Sequence, residues 1–135
     1  FKKIKLDPKP LNCLENRMAF CHQSSFVKRQ LLVDNKFDLN YKIAADYNLF
    51  FCLYKKKIKF EIFYDCISNY EVENGLSTTN GYLAAKECLL INGKWGKFRH
   101  MLPFYYFTCK FYFFLYLKNN LPKNLLLIYF KLKYK

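Results

Sequence analysis

Asp46 is the acidic side chain best placed for chemistry in this sequence. It lies near the start of the segment 42–56, and two alanines precede it, so little bulk would surround its carboxylate. An ionised carboxylate in a cleft can take a proton from a hydroxyl group, which is general-base catalysis. The position also has a purely structural explanation, because an acid in a first helical turn complements the helix dipole by about 0.3–1 kcal/mol. From the residue type alone, both interpretations stay open.

Histidine and cysteine give weaker signals. His22 and His100 are the two histidines, and the six cysteines are spread through the chain without a C-x-x-C pair. Neither a zinc ribbon nor a disulfide framework is therefore indicated, and we expect free thiols in a reducing cytoplasm. The sequence also has no Gly-rich phosphate loop.

Periodic apolar residues indicate which elements would position Asp46. The clearest helical pattern spans 42–56, where the apolar positions are Ile43, Tyr47, Phe50, Phe51 and Tyr54. A second helix is predicted over 81–92. Alternating or mixed apolar residues predict three short strands, which are 19–27, 58–64 and 66–72.

The composition is that of one folded domain with an uneven charge. The 135 residues are 53% hydrophobic and 24% charged, which excludes a disordered chain. Fourteen basic residues and all ten acids lie in 1–87, whereas 88–135 holds nine basic residues and no acid. This excess favours an anionic partner such as nucleic acid, a lipid surface or a phosphorylated substrate. A/T-rich coding would produce a similar bias without selection on charge.

The tail 99–135 combines positive charge with aromatic residues. Its segment 101–117 is almost wholly apolar, but it is shorter than the roughly 20 residues that cross a bilayer, and Lys110 interrupts it. The tail predicts helices that lie in an anionic membrane interface, or core helices with solvated lysines. Nucleic-acid binding is the weakest alternative, because no zinc-finger or helix-turn-helix signature appears, and we expect no nucleic-acid partner.

Four short motifs occur in order along the first half of the chain. They are residues 21–29 (CHQSSFVKR), 37–38 (FD), 41–49 (YKIAADYNL) and 74–77 (NGLS). In this order, and at about these intervals, they resemble the C-terminal half of family 2 glycosyltransferases, in the branch that builds bacterial surface polysaccharides. The resemblance covers roughly residues 10–95.

The resemblance implies a partial GT-A fold. This α/β fold would comprise the C-terminal half only, with a short mixed sheet, amphipathic helices and a helical, hydrophobic and basic tail. The chain would divide into a lead-in segment 1–18, the acceptor-side part 19–98 and the tail 99–135.

The resemblance also implies roles for four residues. An acid at the position of Asp46 is the general base of the family, which removes the proton of the acceptor hydroxyl during an inverting transfer. His22, Gln23 and Ser24 would lie on a strand beside the same cleft and bind sugar or phosphate. For His22, a packed position in that strand is an equal alternative.

The resemblance finally implies partners that bind outside these motifs. They are a nucleotide-sugar donor, a glycan or lipid-linked acceptor, and Mg²⁺ or Mn²⁺ held by an Asp-x-Asp motif, which this sequence lacks. We therefore expect no metal ligand here. The chain is interpreted as a fragment of a hexosyltransferase, inactive alone, in the cytoplasm or at the inner face of the cytoplasmic membrane. The alternative is a non-catalytic basic module that binds membrane surfaces.

Overall fold

A computed structural model describes residues 7–63, 65, 68, 75–120 and 122 of the chain. Within these residues, two short 3₁₀ helices come first, followed by five α-helices. The 3₁₀ helices are Leu11–Glu15 and His22–Ser24. The α-helices are α1 (Arg29–Asp34), α2 (Ala45–Lys55), α3 (Leu76–Thr79), α4 (Gly81–Ile91) and α5 (Phe98–Asn120).

The α/β prediction is wrong. All regular elements in the described part of the chain are helices, and neither a strand nor a sheet occurs there. The short mixed sheet of a partial GT-A fold is therefore missing from these residues, and with it the strand that was expected to carry His22. Of the strand predicted over 66–72, only Ser68 is described.

Residues 19–27 form a 3₁₀ turn flanked by extended backbone rather than a strand. The carbonyl of Cys21 accepts the backbone N–H of Ser24 at 3.1 Å and the hydroxyl of Ser25 at 3.0 Å. Serine side chains offer the backbone local hydrogen bonds that compete with a β-ladder. Because the described residues supply no neighbouring strand, the local bonding wins.

Residues 58–63 begin with the alternation that predicted a strand. Ile58 and Phe60 are half-buried against the core, whereas Lys59 and Glu61 are exposed. The N–H of Ile58 donates to the carbonyl of Leu53 at 3.1 Å, so the segment is bonded back to α2. Alternating burial requires one apolar surface, but a strand also requires a partner for its ladder. No such partner lies within the described ranges.

The helix predicted over 42–56 is confirmed as α2, although its buried face differs from the predicted one. The buried residues are Tyr47, Leu49, Phe50 and Leu53. Ile43, Phe51 and Tyr54 are only half-buried. The helix is therefore turned so that Leu49 and Leu53, four residues apart, point inward.

The core of the first unit surrounds α2. Leu14 of the first 3₁₀ helix is fully buried there, together with Ala19 and Ala44. The ring of Phe20 meets the ring of Phe50 edge-on, with centroids 5.0 Å apart. Full burial of a leucine or phenylalanine side chain contributes about 1.5–3 kcal/mol, so these few residues supply the main packing around α2.

The helix predicted over 81–92 is confirmed as α4, which packs beside α2. Its last turn closes when the N–H of Lys94 donates to the carbonyl of Leu89 at 2.8 Å. Gly93 has φ +64° at this point, a left-handed conformation that glycine adopts without a steric penalty. The helix therefore ends directly before Gly93.

Three side chains donate to backbone carbonyls at the end of the first 3₁₀ helix. The Tyr47 hydroxyl donates to the carbonyl of Leu14 at 2.6 Å. The Asn92 amide donates to the carbonyl of Asn16 at 3.1 Å, and the Lys94 ammonium donates to the carbonyl of Glu15 at 2.8 Å. Carbonyls at a helix end lack partners within the helix, so distant side chains satisfy them here.

The chain divides into two compact units, 1–95 and 96–135. In the second unit, α5 carries exposed residues at spacings of four and three positions, which places them on one face. They are Phe98, Leu102, Tyr105, Cys109, Tyr112 and Tyr116. Across the described residues, no helix has the length and apolar character that a membrane crossing requires. The boundaries at 18/19 and 98/99 stay predictions.

Candidate active site

The carboxylate of Asp46 lies in the first turn of α2, as the sequence predicts. Its Oδ2 is 2.8 Å from Nδ1 of His22, and its side chain is 27% exposed. Its Oδ1 accepts the backbone N–H of Tyr47 at 2.7 Å. Each carboxylate oxygen thus has one fixed partner, and the group remains open to solvent.

His22 begins the 3₁₀ helix that replaces the predicted strand. Its side chain is 51% exposed while Nδ1 contacts Asp46. The bonds from Ser24 and Ser25 to the carbonyl of Cys21 fix the turn just before and after this histidine. The structure therefore brings two of the predicted site residues together, although on a turn and a helix rather than on a strand and a helix.

The Asp46–His22 pair can exchange protons. The imidazole can donate from Nδ1 to the carboxylate, which orients the ring and leaves Nε2 for a proton transfer. The carboxylate itself also has lone pairs to accept a proton from a hydroxyl group. Because both groups are partly exposed, the ion pair adds at most about 0.2–1 kcal/mol to stability. The pair therefore contributes little to the stability of the fold.

Gln23 and Ser24 share the 3₁₀ turn with His22 but not its contact with Asp46. Gln23 is exposed. The hydroxyl of Ser24 hydrogen-bonds the hydroxyl of Ser68. Their roles in binding sugar or phosphate stay predictions.

Glu87 is the residue that sequence reasoning missed. It lies in α4 and is only 4% exposed. Its Oε1 accepts the backbone N–H of Lys42 at 2.9 Å. Its Oε2 accepts the N–H groups of Ile43 and Ala44 at 2.9 and 2.8 Å. The signal in the sequence was an acid within the otherwise apolar second half of a predicted helix, and it is the last acid in the chain.

Glu87 supplies hydrogen-bond acceptors for the backbone that leads into α2. Ala44 occupies the N-cap position, and no side chain caps the helix from that position. N–H groups at a helix start have no partner within the helix and need an acceptor. Here the carboxylate from α4 accepts the three N–H groups of residues 42–44, which lie directly before the first residue of α2.

Two neighbouring groups with raised pKa values are poor proton acceptors or nucleophiles. Burial, with smaller contributions from the Asp46 and Glu87 carboxylates, raises the pKa of the Cys88 thiol to about 11. Burial also raises the pKa of Tyr47, whose hydroxyl donates to the Leu14 carbonyl. Both groups keep their protons at neutral pH, and a protonated thiol is not the nucleophilic form of cysteine.

The described residues contain no cluster of side chains that could bind a metal ion. No group of three or more histidine, cysteine, aspartate or glutamate side chains is close enough there to hold an ion. The Mg²⁺ or Mn²⁺ implied by the resemblance therefore has no matching ligand set in this part of the chain. His100, the second histidine, lies in the first turn of α5.

Comparison with protein-family models, with curated proteins and with solved structures gives no match for this chain.

Proposed function

We propose that Asp46 is the general base of a sugar-transfer site, with His22 as its oriented partner. The activity would be that of an inverting family 2 glycosyltransferase, as the four motifs suggest. One contact carries the proposal: Oδ2 of Asp46 lies 2.8 Å from Nδ1 of His22, and the carboxylate is 27% exposed. Two residues from separate motifs of the resemblance thus meet in one partly open site.

In the proposed reaction, an acceptor hydroxyl attacks the anomeric carbon of the donor sugar. The hydroxyl proton passes to the Asp46 carboxylate as the new bond forms, and the bond from the anomeric carbon to the nucleoside diphosphate breaks. An alcohol is a weak nucleophile until its proton has an acceptor, and a positioned base contributes about 10²–10⁴-fold. The bonds from Tyr47 and His22 fix the plane of the carboxylate before the acceptor arrives.

The proposed substrates are a nucleotide sugar and a glycan or lipid-linked acceptor of surface-polysaccharide synthesis. The donor and its divalent cation would be held by the donor-binding half of the full-length enzyme, so these residues alone would not turn over. The proposed location is the cytoplasm or the inner face of the cytoplasmic membrane.

The test joins these 135 residues to the donor-binding half that the resemblance implies. Transfer of labelled sugar is measured from a panel of nucleotide sugars to lipid-linked acceptors. Asp46→Asn keeps the shape of the side chain but removes the proton acceptor, so we expect transfer to fall by about 10²–10⁴-fold.

The matched control is Asp34→Asn, which changes an exposed acid of α1 whose carboxylate accepts the Gln30 amide. We expect this variant to retain the parental rate. If Asp46→Asn also retains it, Asp46 is not the base. If the parent transfers sugar from none of the donors, the sugar-transfer proposal fails.

A second candidate function, binding to an anionic membrane surface, is favoured by α5. Its exposed face carries aromatic and leucine side chains, of which Phe98 and Tyr116 are 79% and 64% exposed. The chain has no acid after Glu87, while Arg99 and Lys110 lie within the helix. Aromatic side chains are favourable at the boundary between the lipid head groups and the acyl chains. Each Lys or Arg near the membrane surface adds about 1 kcal/mol of attraction to anionic lipid.

Vesicle binding tests this candidate in the whole chain. We expect binding to vesicles that contain phosphatidylglycerol and weak binding to phosphatidylcholine alone. Replacing Phe98 and Leu102 with serine should reduce the binding. The control replaces Phe26 and Leu39, two exposed residues of the first unit, and should leave it unchanged. Equal binding to both kinds of vesicle would remove the candidate.

A further inference from the structure

We infer that Glu87 is a positioning residue for Asp46. Its buried carboxylate fixes the backbone that leads into α2, and it thereby fixes the position of Asp46 relative to His22. The inference rests on the proposed function for its catalytic consequence, but its structural part does not. Three hydrogen bonds of 2.8–2.9 Å join the carboxylate to consecutive N–H groups.

The short distance along the chain makes these bonds matter for Asp46. The three hydrogen bonds from the Lys42, Ile43 and Ala44 N–H groups to Glu87 form a clamp on this backbone. The last clamped N–H belongs to Ala44, and Ala45 is the first residue of α2. Asp46 follows at once, so a rotation of the clamped backbone moves its carboxylate directly. Since Nδ1 of His22 lies on a separate turn, the 2.8 Å contact depends on where α2 begins.

Glu87 is not itself the proton acceptor. At 4% exposure it is closed to a sugar hydroxyl, and both of its oxygens already accept backbone N–H groups. Asp46 is 27% exposed and has free lone-pair capacity on both oxygens. Glu87 therefore holds the backbone, and Asp46 is the carboxylate that would contact the substrate.

The nature of the clamp predicts which substitutions disturb it. N–H donors to an ionised carboxylate form stronger bonds than those to neutral acceptors. In Glu87→Gln the amide keeps one acceptor oxygen and places an NH₂ group against a backbone N–H, which breaks the clamp on one side. Glu87→Asp keeps the charge but shortens the side chain by one methylene, so its effect should be smaller.

The experiment measures the Asp46–His22 contact and transfer separately. In the whole chain, NMR follows the imidazole nitrogen signals of His22 and the hydrogen exchange of the Lys42, Ile43 and Ala44 amides. We expect E87Q to speed exchange at these amides and to shift the His22 signals, with E87D intermediate. The control Glu15→Gln changes an exposed acid that pairs with Lys55 and should alter neither measurement.

In the transfer assay, E87Q should lower kcat by about 10²-fold with little change in KM, since a displacement near 1 Å costs about that much. Unchanged His22 signals in both Glu87 variants would overturn the inference, even with faster exchange, because Glu87 would then only stabilise the fold. Failure of E87D to fold would also overturn it, since a positioning role tolerates the shorter acid.

The outcomes separate this inference from the proposed function. If the His22 signals shift in E87Q while Asp46→Asn keeps full transfer, Glu87 positions the pair but the pair is not the base. If Asp46→Asn abolishes transfer while E87Q leaves the His22 signals and kcat unchanged, the proposed function stands and the positioning role is wrong.

Discussion

Tyrosines of the two compact units differ in what surrounds them. In the first unit, Tyr47 is 2% exposed, its ring packs in the core and its hydroxyl donates to the Leu14 carbonyl. In the second unit, Tyr112 and Tyr116 are 54% and 64% exposed on one face of α5. The aromatic content of a segment therefore does not identify a core, because the same residue type fills a packed interior in one unit and an open surface in the other.

The two units also differ in whether their charged side chains have partners of opposite charge nearby. The first unit contains Asp46 and Glu87, and both carboxylates have defined donors. In α5 there is no acid, so no carboxylate within that helix can pair with Arg99 or Lys110. A unit with internal ionic partners suits a fixed site, whereas a helix with cations alone suits an external anionic partner.

The largest difference in stability should appear between a substitution in the core of the first unit and one on the exposed face of α5. Leu14→Ala removes a fully buried side chain, so we expect the free energy of unfolding to fall by about 2–5 kcal/mol. Leu102→Ala, in an exposed position of α5, should change it by less than about 0.5 kcal/mol. Urea denaturation measures both values. Equal losses would contradict the difference in burial between Leu14 and Leu102.

Removal of one buried hydroxyl group should also lower the free energy of unfolding of the first unit, but by less than the truncation of Leu14. Tyr47→Phe leaves the buried carbonyl of Leu14 without its donor, so we expect a loss of about 1–3 kcal/mol. Tyr112→Phe is the matched change on the exposed face of α5, and water can satisfy any group that it leaves. Thermal unfolding of the two variants checks this difference. A loss in Tyr112→Phe as large as that in Tyr47→Phe would refute it.

The third effect is absent at neutral pH and should appear only in alkaline solution, as a dependence of the free energy of unfolding on pH. The Cys88 thiol has an ordinary pKa of 9.0 in the unfolded chain and a pKa of about 11 in the folded chain. Between these values the unfolded chain binds fewer protons, so the free energy of unfolding falls as pH rises. The contribution is fully present below 9.0 and lost above about 11.

Cys88→Ala should flatten this fall, whereas the same change at the exposed Cys109 of α5 should leave it intact. Unfolding by urea at a series of pH values measures the slope. Identical slopes in the parent and Cys88→Ala would show that the thiol keeps its ordinary pKa in the folded chain.

Local sequence patterns predicted the helices well and the strands badly. The periods of α2 and α4 are visible in the sequence because a helix satisfies its hydrogen bonds within itself. The segments 19–27 and 58–63 have suitable residues for strands, but a ladder depends on a distant partner. The resemblance supplied the expectation of a sheet, and the described residues do not contain it.

The site was predictable in part for the same reason. Asp46 and His22 were identified as candidates through short motifs, and they do meet. Glu87 was not, because its three donors lie 43 to 45 residues earlier in the chain. Its burial and its role as a distant helix cap depend on how α4 packs beside α2. No local pattern contains that information.

The carbonyls at the end of the first 3₁₀ helix have a consequence for synthesis on the ribosome. Their donors Tyr47, Asn92 and Lys94 follow them by 33, 76 and 79 positions. Because translation releases the chain from its N-terminus at about 5–20 residues per second, the opening turn waits several seconds for its last two donors. We therefore expect this turn to mature late, when nearly all of the first unit has left the exit tunnel.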